Sequence, residues 1–243
     1  VVAPHPEETH GKYPEYNKVW EDDRLDIVAV YGEIGDADHG WFFSKEDSGE
    51  TSRKRLLAGI EASLSKPTRT SRDDSSGTLK DETVTDTVRV RGRDRTVNVT
   101  AVLLEERGFE AFSERFVTLS KNADIVVFTG HSGVGETINR FASKTGATAS
   151  KYQLAYLYGC QGLGYLGPEM HANRIALNGV DRDPEGTKFL DLIATALPAL
   201  GDEAKSTLAI YEAMLLKDKP KTFNDLLEVM GPHLATVFGE HDN

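Results

Sequence analysis

Two apolar runs, each closed by a glycine, constrain this chain more than any other feature. Asp124-Ile125-Val126-Val127-Phe128-Thr129-Gly130 leads into His131-Ser132-Gly133. Gln153-Leu154-Ala155-Tyr156-Leu157-Tyr158-Gly159 leads into Cys160-Gln161-Gly162. Both have the length and the β-branched or aromatic content of a buried strand. A terminal glycine lets the backbone turn sharply and approach another group closely. In open α/β sheets, chemistry collects at the carboxyl ends of the strands. Here two such ends deliver an imidazole and the only thiol of the chain.

The surrounding pattern predicts a three-layer α/β sandwich with a mostly parallel central sheet and an inserted β-hairpin. Strand and helix signals alternate through the second half, which favours parallel strands covered by helices. Strands are expected near 25–31, 97–104, 124–129, 153–158 and 173–178. Helices are expected near 53–64, 109–119, 135–143, 203–217 and 222–229. A further helix is expected to start at Asp183-Pro184-Glu185, with Asp as N-cap and Pro in the first turn, and to carry Phe189, Leu190, Leu192, Ile193 and Leu197. Residues 83–104 read as a hairpin turning at Arg91-Gly92-Arg93-Asp94. Residues 1–24 read as an irregular N-terminal arm, 66–80 as a mobile polar loop, and 25–243 as a single domain. Trp41-Phe42-Phe43 reads as an edge strand or a packed turn.

Composition excludes several functions. The net charge of −11 argues against nucleic acid and anionic membranes as partners. No window approaches the roughly 18 apolar residues of a membrane span. A single cysteine excludes an internal disulfide framework. The polar opening at Val1 fits a processed product, so a soluble, exported protein with its targeting segment removed is one expectation. The residues contain neither an H-E-x-x-H nor a paired C-x-x-C signal, and no metal is expected.

The octapeptide Gly130-His131-Ser132-Gly133-Val134-Gly135-Glu136-Thr137 permits three chemistries. As a phosphate-binding loop it lacks the lysine after Gly135, where Glu136 would repel phosphate. As a nucleophile elbow with Ser132 as the nucleophile of a serine hydrolase, it has Val134 where a glycine is required. The third reading joins His131 to Cys160 as a base and nucleophile pair.

At these residues the chain resembles the caspase-like clan of cysteine peptidases, which includes caspases, metacaspases, legumains, clostripain and gingipains. Gly159-Cys160-Gln161-Gly162 fits the last four positions of the caspase pattern Q-A-C-[RQG]-G with Gly159 in place of Ala, and Tyr158 stands in place of the Gln. Thr129-Gly130-His131 is similar to the Ser-Gly-His of metacaspases. The likeness spans residues 25–200 in element order, and these two motifs carry it. Ser132 stands where the family usually has Gly. Cys160 follows His131 by 29 residues, against about 50 in caspases, which points to a bacterial-type relative.

The resemblance implies a caspase-like fold and cysteine endopeptidase activity on a peptide or protein substrate, without a cofactor. Calcium dependence is known in some relatives. Cys160 would attack as thiolate with His131 as base and acid, and the oxyanion would be held by the backbone N–H of Cys160 with that of Ser132 or Gly133. Arg- or Lys-preferring members line their specificity pocket with carboxylates; Glu33, Asp36, Asp38, Asp181 and Asp183 are the candidates here. The competing bland readings are an inert core thiol at Cys160, solvated acidic turns at 36–39 and 181–183, and a non-catalytic relative that keeps the fold as a binding surface.

Overall fold

The architecture follows from β1, Arg24–Gly32, whose alternate residues face opposite cores. Leu25, Ile27, Ala29 and Tyr31 enter one hydrophobic cluster, and Val28 and Val30 the other. A strand apolar on both faces needs a layer on each side, so it lies inside a sheet covered by helices. The computed structural model describes residues 11–33, 47–72, 78–105, 108–132, 136–198, 203–231 and 234–237.

Along the chain run α1 (Tyr16–Val19), β1, α2 (Ser48–Ser63), β2 (Thr68–Arg72), β3 (Thr78–Val90), β4 (Arg93–Leu104), α3 (Phe109–Ser120) and β5 (Ile125–Thr129). Then come α4 (Glu136–Lys144), β6 (Gln153–Tyr158), a 3-10 turn (Gly162–Tyr165), α5 (Glu169–Asn178), β7 (Leu190–Thr195), α6 (Glu203–Met214), α7 (Phe223–Met230) and β8 (Leu234–Val237). The described strands form one eight-stranded sheet in the order β2-β3-β4-β1-β5-β6-β7-β8. From β4 to β7 the neighbours are parallel; the flanking pairs β2/β3, β3/β4 and β7/β8 are antiparallel.

Helices α2, α6 and α7 supply Leu56, Ile60, Ile210, Met214 and Phe223 to the first core. Helices α3, α4 and α5 supply Phe112, Phe116, Phe141 and Met170 to the second. Phe141 is the centre of the latter, with Phe128 stacked at 4.2 Å and Phe109 and Phe116 at 4.5 and 4.9 Å. Such aromatic pairs add roughly 0.5–1.5 kcal/mol each beyond burial.

Several expectations need correction. Residues 173–178 are not a strand but the second half of α5. Only Met170 and Arg174 of that helix are buried, an i, i+4 pair, and Gly179 ends it at φ 87°. The segment after Asp183 is not a helix: it turns at Gly186, φ 71°, and becomes β7. There Leu190-Asp191-Leu192-Ile193-Ala194 fills the slot beside β6. Its apolar spacing satisfies either period, and the open edge of β6 decides. The expected loop at 66–80 contains β2, paired with β3 from Thr68↔Thr85 to Arg72↔Asp81. The hairpin is no insertion either, since β4 is also the parallel partner of β1. The arm is ordered over 12–20: Trp20 donates its indole N–H to Met214 O at 2.8 Å, and Tyr16 its hydroxyl to Lys221 O at 2.7 Å. Residues 1–10 and 41–43 lie outside the described residues.

Buried charge ties the layers at the amino ends of the strands. Asp124, fully buried, accepts from the Asp26 N–H at 2.8 Å and forms an ion pair with Lys151. Burial raises the Asp124 carboxyl to about 7, while Asp26 and Lys151 oppose that rise. Arg174, also buried, donates to Lys151 O at 3.2 Å and to Gln153 Oε1. Burial lowers its guanidinium to about 10. Gln153 in turn donates to Ser120 O and Ala123 O at 2.6 and 2.8 Å. Removing one member of a buried pair strands the other, at a cost of about 3–5 kcal/mol.

Lys151→Ala is therefore expected to destabilise the fold by about 3 kcal/mol at pH 8. A carboxyl whose folded pKa lies above its unfolded value binds its proton more tightly when folded. The deficit should therefore shrink as the pH falls through about 7 and Asp124 is neutralised. Urea melts of both proteins at pH 8 and pH 5 measure it, and a deficit equal at both pH values would refute the charge mechanism.

Candidate active site

The strand order reverses direction at β1: the chain leaves it for β4 on one side and returns to β5 on the other. Such a switch point opens a crevice beyond the carboxyl ends of the strands. A cavity of about 300 Å³ lies there, lined by Gly32 and Glu33 at the end of β1, Leu104 and Glu105 at the end of β4, Phe128 of β5 and His131 just beyond it. Phe109, Glu136, Thr137 and Arg140 complete it. Its floor is apolar and it carries three carboxylates. Arg140 pairs with Glu136 at 2.6 Å and with Glu110 at 2.9 Å.

Parallel register brings the two motifs together. Thr129 is the partner of Tyr158 in the β5/β6 ladder. His131 and Cys160 each follow two residues later, so they leave the sheet side by side. The Gly130 N–H donates to Tyr158 O at 3.1 Å, carrying the pairing one step past the strands. A Cβ built on Gly159 would stand 3.2 Å from Gly130 O and from Ile138 Cδ1, and 3.5 Å from Ser132 Cβ. Glycine at 159 is what lets the two loops touch. Where the caspase pattern carries alanine, an alanine here would require Gly130 O and Ile138 Cδ1 to give by a few tenths of an ångström.

Cys160 lies in a tight turn. The Gly162 N–H donates to Gly159 O at 3.1 Å, closing the turn around Cys160 and Gln161. Gln161 takes a left-handed conformation, φ 56° and ψ 31°. That conformation costs an L-residue other than Asn or Asp of order 1 kcal/mol, and such strain gathers at functional sites. The turn presents the Cys160 side chain to solvent. His131 is exposed as well. Ser132 is only 8% exposed, a poor disposition for a nucleophile, and its carbonyl accepts from the Thr137 N–H at 3.2 Å at the start of α4.

The other candidate residues part company with this pair. Asp181 and Asp183 precede β7 and so lie at the amino end of the sheet, about 20 Å from the carboxyl ends across the length of a six-residue strand. Asp183 is buried, accepting from Asn178 Nδ2 at 2.7 Å and from the Lys188 N–H at 3.0 Å. Its role is to hold the turn between α5 and β7. Neither residue lines the cavity beside His131. Asp36, Asp38 and Gly133 lie outside the described residues. Glu105 and Glu136, which the sequence did not single out as pocket residues, line the cavity instead. They were hidden because they belong to different segments that meet only at the switch point. Among the described residues, no group of three or more His, Cys, Asp or Glu is placed to hold a metal ion, and no helix is long and apolar enough to cross a membrane.

No protein-family model matches the chain, and no curated protein is significantly similar to it.

Gly159→Ala tests the close approach of the loops. The added methyl meets a backbone oxygen that cannot swing aside, so a loss of about 1–3 kcal/mol is expected, read as a lower denaturation midpoint at unchanged slope. A neutral result would mean that the β5 and β6 loops are not held in contact.

Proposed function

We propose that the chain is a cysteine-dependent endopeptidase of caspase-like type acting through Cys160 and His131. The observation that carries this reading is the register: adjacent parallel strands release the imidazole and the thiol at equivalent positions, with the two loops in contact at Gly159 and Gly130. Chain order, His then Cys from neighbouring strand ends, is that of the clan the motifs resemble. Exposure of Cys160 and burial of Ser132 favour the thiol over the hydroxyl as nucleophile.

In this mechanism the Cys160 thiolate adds to the scissile carbonyl carbon, and the carbonyl π electrons move to oxygen. The Cys160 N–H, with that of Ser132 or Gly133, stabilises the oxyanion. On collapse the C–N bond breaks and His131 delivers its proton to the leaving amine. Water, deprotonated by His131, then hydrolyses the thioester and restores the thiol.

The cavity beside His131 supports a preference for a basic side chain. Leu104, Phe109 and Phe128 suit the aliphatic stem of Arg or Lys, and Glu33 and Glu105 suit its charge, while Glu136 is paired with Arg140 of the same cavity. These residues take the role that the acidic turn at 181–183 does not fill.

Cys160→Ala and His131→Ala are each expected to lower kcat/KM on a fluorogenic peptide by a factor on the order of 10⁴ with little change in melting temperature. Ser132→Ala should retain most activity. Near-normal turnover by the Cys160 variant, or its loss in the Ser132 variant alone, would refute the assignment.

Peptides with Arg or Lys before the scissile bond should be cleaved faster than those with Asp or Leu there. Glu33→Gln with Glu105→Gln should narrow that ratio by about tenfold, as expected for the loss of a charge-assisted contact worth about 1.4 kcal/mol. A preference for Asp or Leu would refute the pocket.

A further inference from the structure

We infer that Thr195, the last residue of β7, is a positioning residue for Cys160. The inference rests on the peptidase reading for its catalytic meaning and on the geometry of the β6/β7 edge for its substance. The ladder between these strands ends at Leu157↔Ala194. Beyond it the chain runs through Tyr158, the last residue of β6, to Gly159, whose N–H and carbonyl both lie in buried hydrogen bonds.

The Thr195 side chain, with no solvent exposure, takes both. Its Oγ1 accepts from the Gly159 N–H at 3.2 Å and donates to Gly159 O. One hydroxyl thus meets both backbone groups of Gly159, whose oxygen also accepts from the Gly162 N–H at 3.1 Å. The same oxygen would stand 3.2 Å from a Cβ on Gly162, so it packs against both ends of the turn that carries Cys160. Leu197, two residues on, accepts from the Gln161 N–H at 3.2 Å through its backbone oxygen. The Cys160 turn is therefore held from the β7 side at residues 159, 161 and 162, while the His131 loop holds it from the other.

A side chain that fixes the residue before a nucleophile fixes the direction of the sulfur and of the Cys160 N–H together. Both must be aligned with His131 and the substrate carbonyl, and a displacement near 1 Å costs about 100-fold in rate. Serine preserves the hydroxyl. Valine preserves the shape and removes both hydrogen bonds. Alanine leaves room for water to replace them in part.

The test compares wild type with Thr195→Ser, Thr195→Val and Thr195→Ala. Alkylation of Cys160 by iodoacetamide is followed from pH 5 to 9 on protein shown to be folded by near-ultraviolet circular dichroism, beside kcat and KM on a fluorogenic peptide. The expected order of alkylation rate and of kcat is wild type and Ser together, then Ala, then Val. The Val variant should fall about 10- to 100-fold in kcat with KM within about twofold, and its alkylation profile should move along the pH axis. If Val does not fold, the Ser and Ala variants carry the comparison. Alkylation profiles that coincide for all folded variants would overturn the positioning role, whatever the peptidase result. A wild type that cleaves no peptide, while the Thr195 variants still alter Cys160 alkylation, would overturn the peptidase reading and leave the positioning role standing.

Discussion

The parallel ladder between β5 and β6 is the constraint on which the rest depends. It begins where the Leu154 N–H donates to Asp124 O at 2.8 Å and ends where the Gly130 N–H donates to Tyr158 O at 3.1 Å. Every side chain of the two strands is buried. A slip of one residue would send the whole apolar set of one strand to the wrong core. The register is therefore specified by burial along the full length of both strands. Two residues beyond the ladder, that specification is inherited by His131 and Cys160, which are both exposed.

The two ends of this sheet use polar groups differently. At the amino ends, Asp124, Lys151, Arg174 and Gln153 are buried and joined across β5, β6, α5 and the α3–β5 connection. Such a network contributes little net stability against an apolar alternative, but each member becomes costly once its partner is removed. Its effect is to define how the helix layer sits on the strands. At the carboxyl ends His131 and Cys160 are exposed, and a buried polar side chain there, Thr195, bonds to backbone instead of to another charge. The contrast fits a division between a framework end and the end that carries the proposed site.

The end of β4 lines the cavity, and β3 and β2 extend the sheet beyond it. Glu82 of β3 binds Arg53 of α2 and Arg69 of β2, while its neighbour Asp81 faces the other layer and accepts from Arg115 of α3 at 3.1 Å. Strand alternation turns two adjacent carboxylates into clamps on opposite helix layers. Arg69 and Arg72, expected within a loop, are held in a paired strand. Proteolysis there would first require β2 to detach.

The sequence by itself determined the strands whose apolar runs are long, β-branched and bounded by glycine: β1, β4, β5 and β6. It also determined that an imidazole and the sole thiol leave two of them, because a terminal glycine is a local property that no neighbour has to supply. Helices α2, α3, α4 and α6 were legible for a similar reason, as their apolar spacing is periodic over several turns. The stretch from 169 to 198 was not legible. Leu190-Asp191-Leu192-Ile193-Ala194-Thr195 fits a helix and a strand about equally, and its state is settled by the unpaired edge of β6. Once it is a strand, Asp181 and Asp183 pass to the far end of the sheet and Thr195 arrives beside Gly159. Only the tertiary structure could decide this, because strand pairing joins residues distant in sequence, and a short apolar run takes its conformation from the partner it finds.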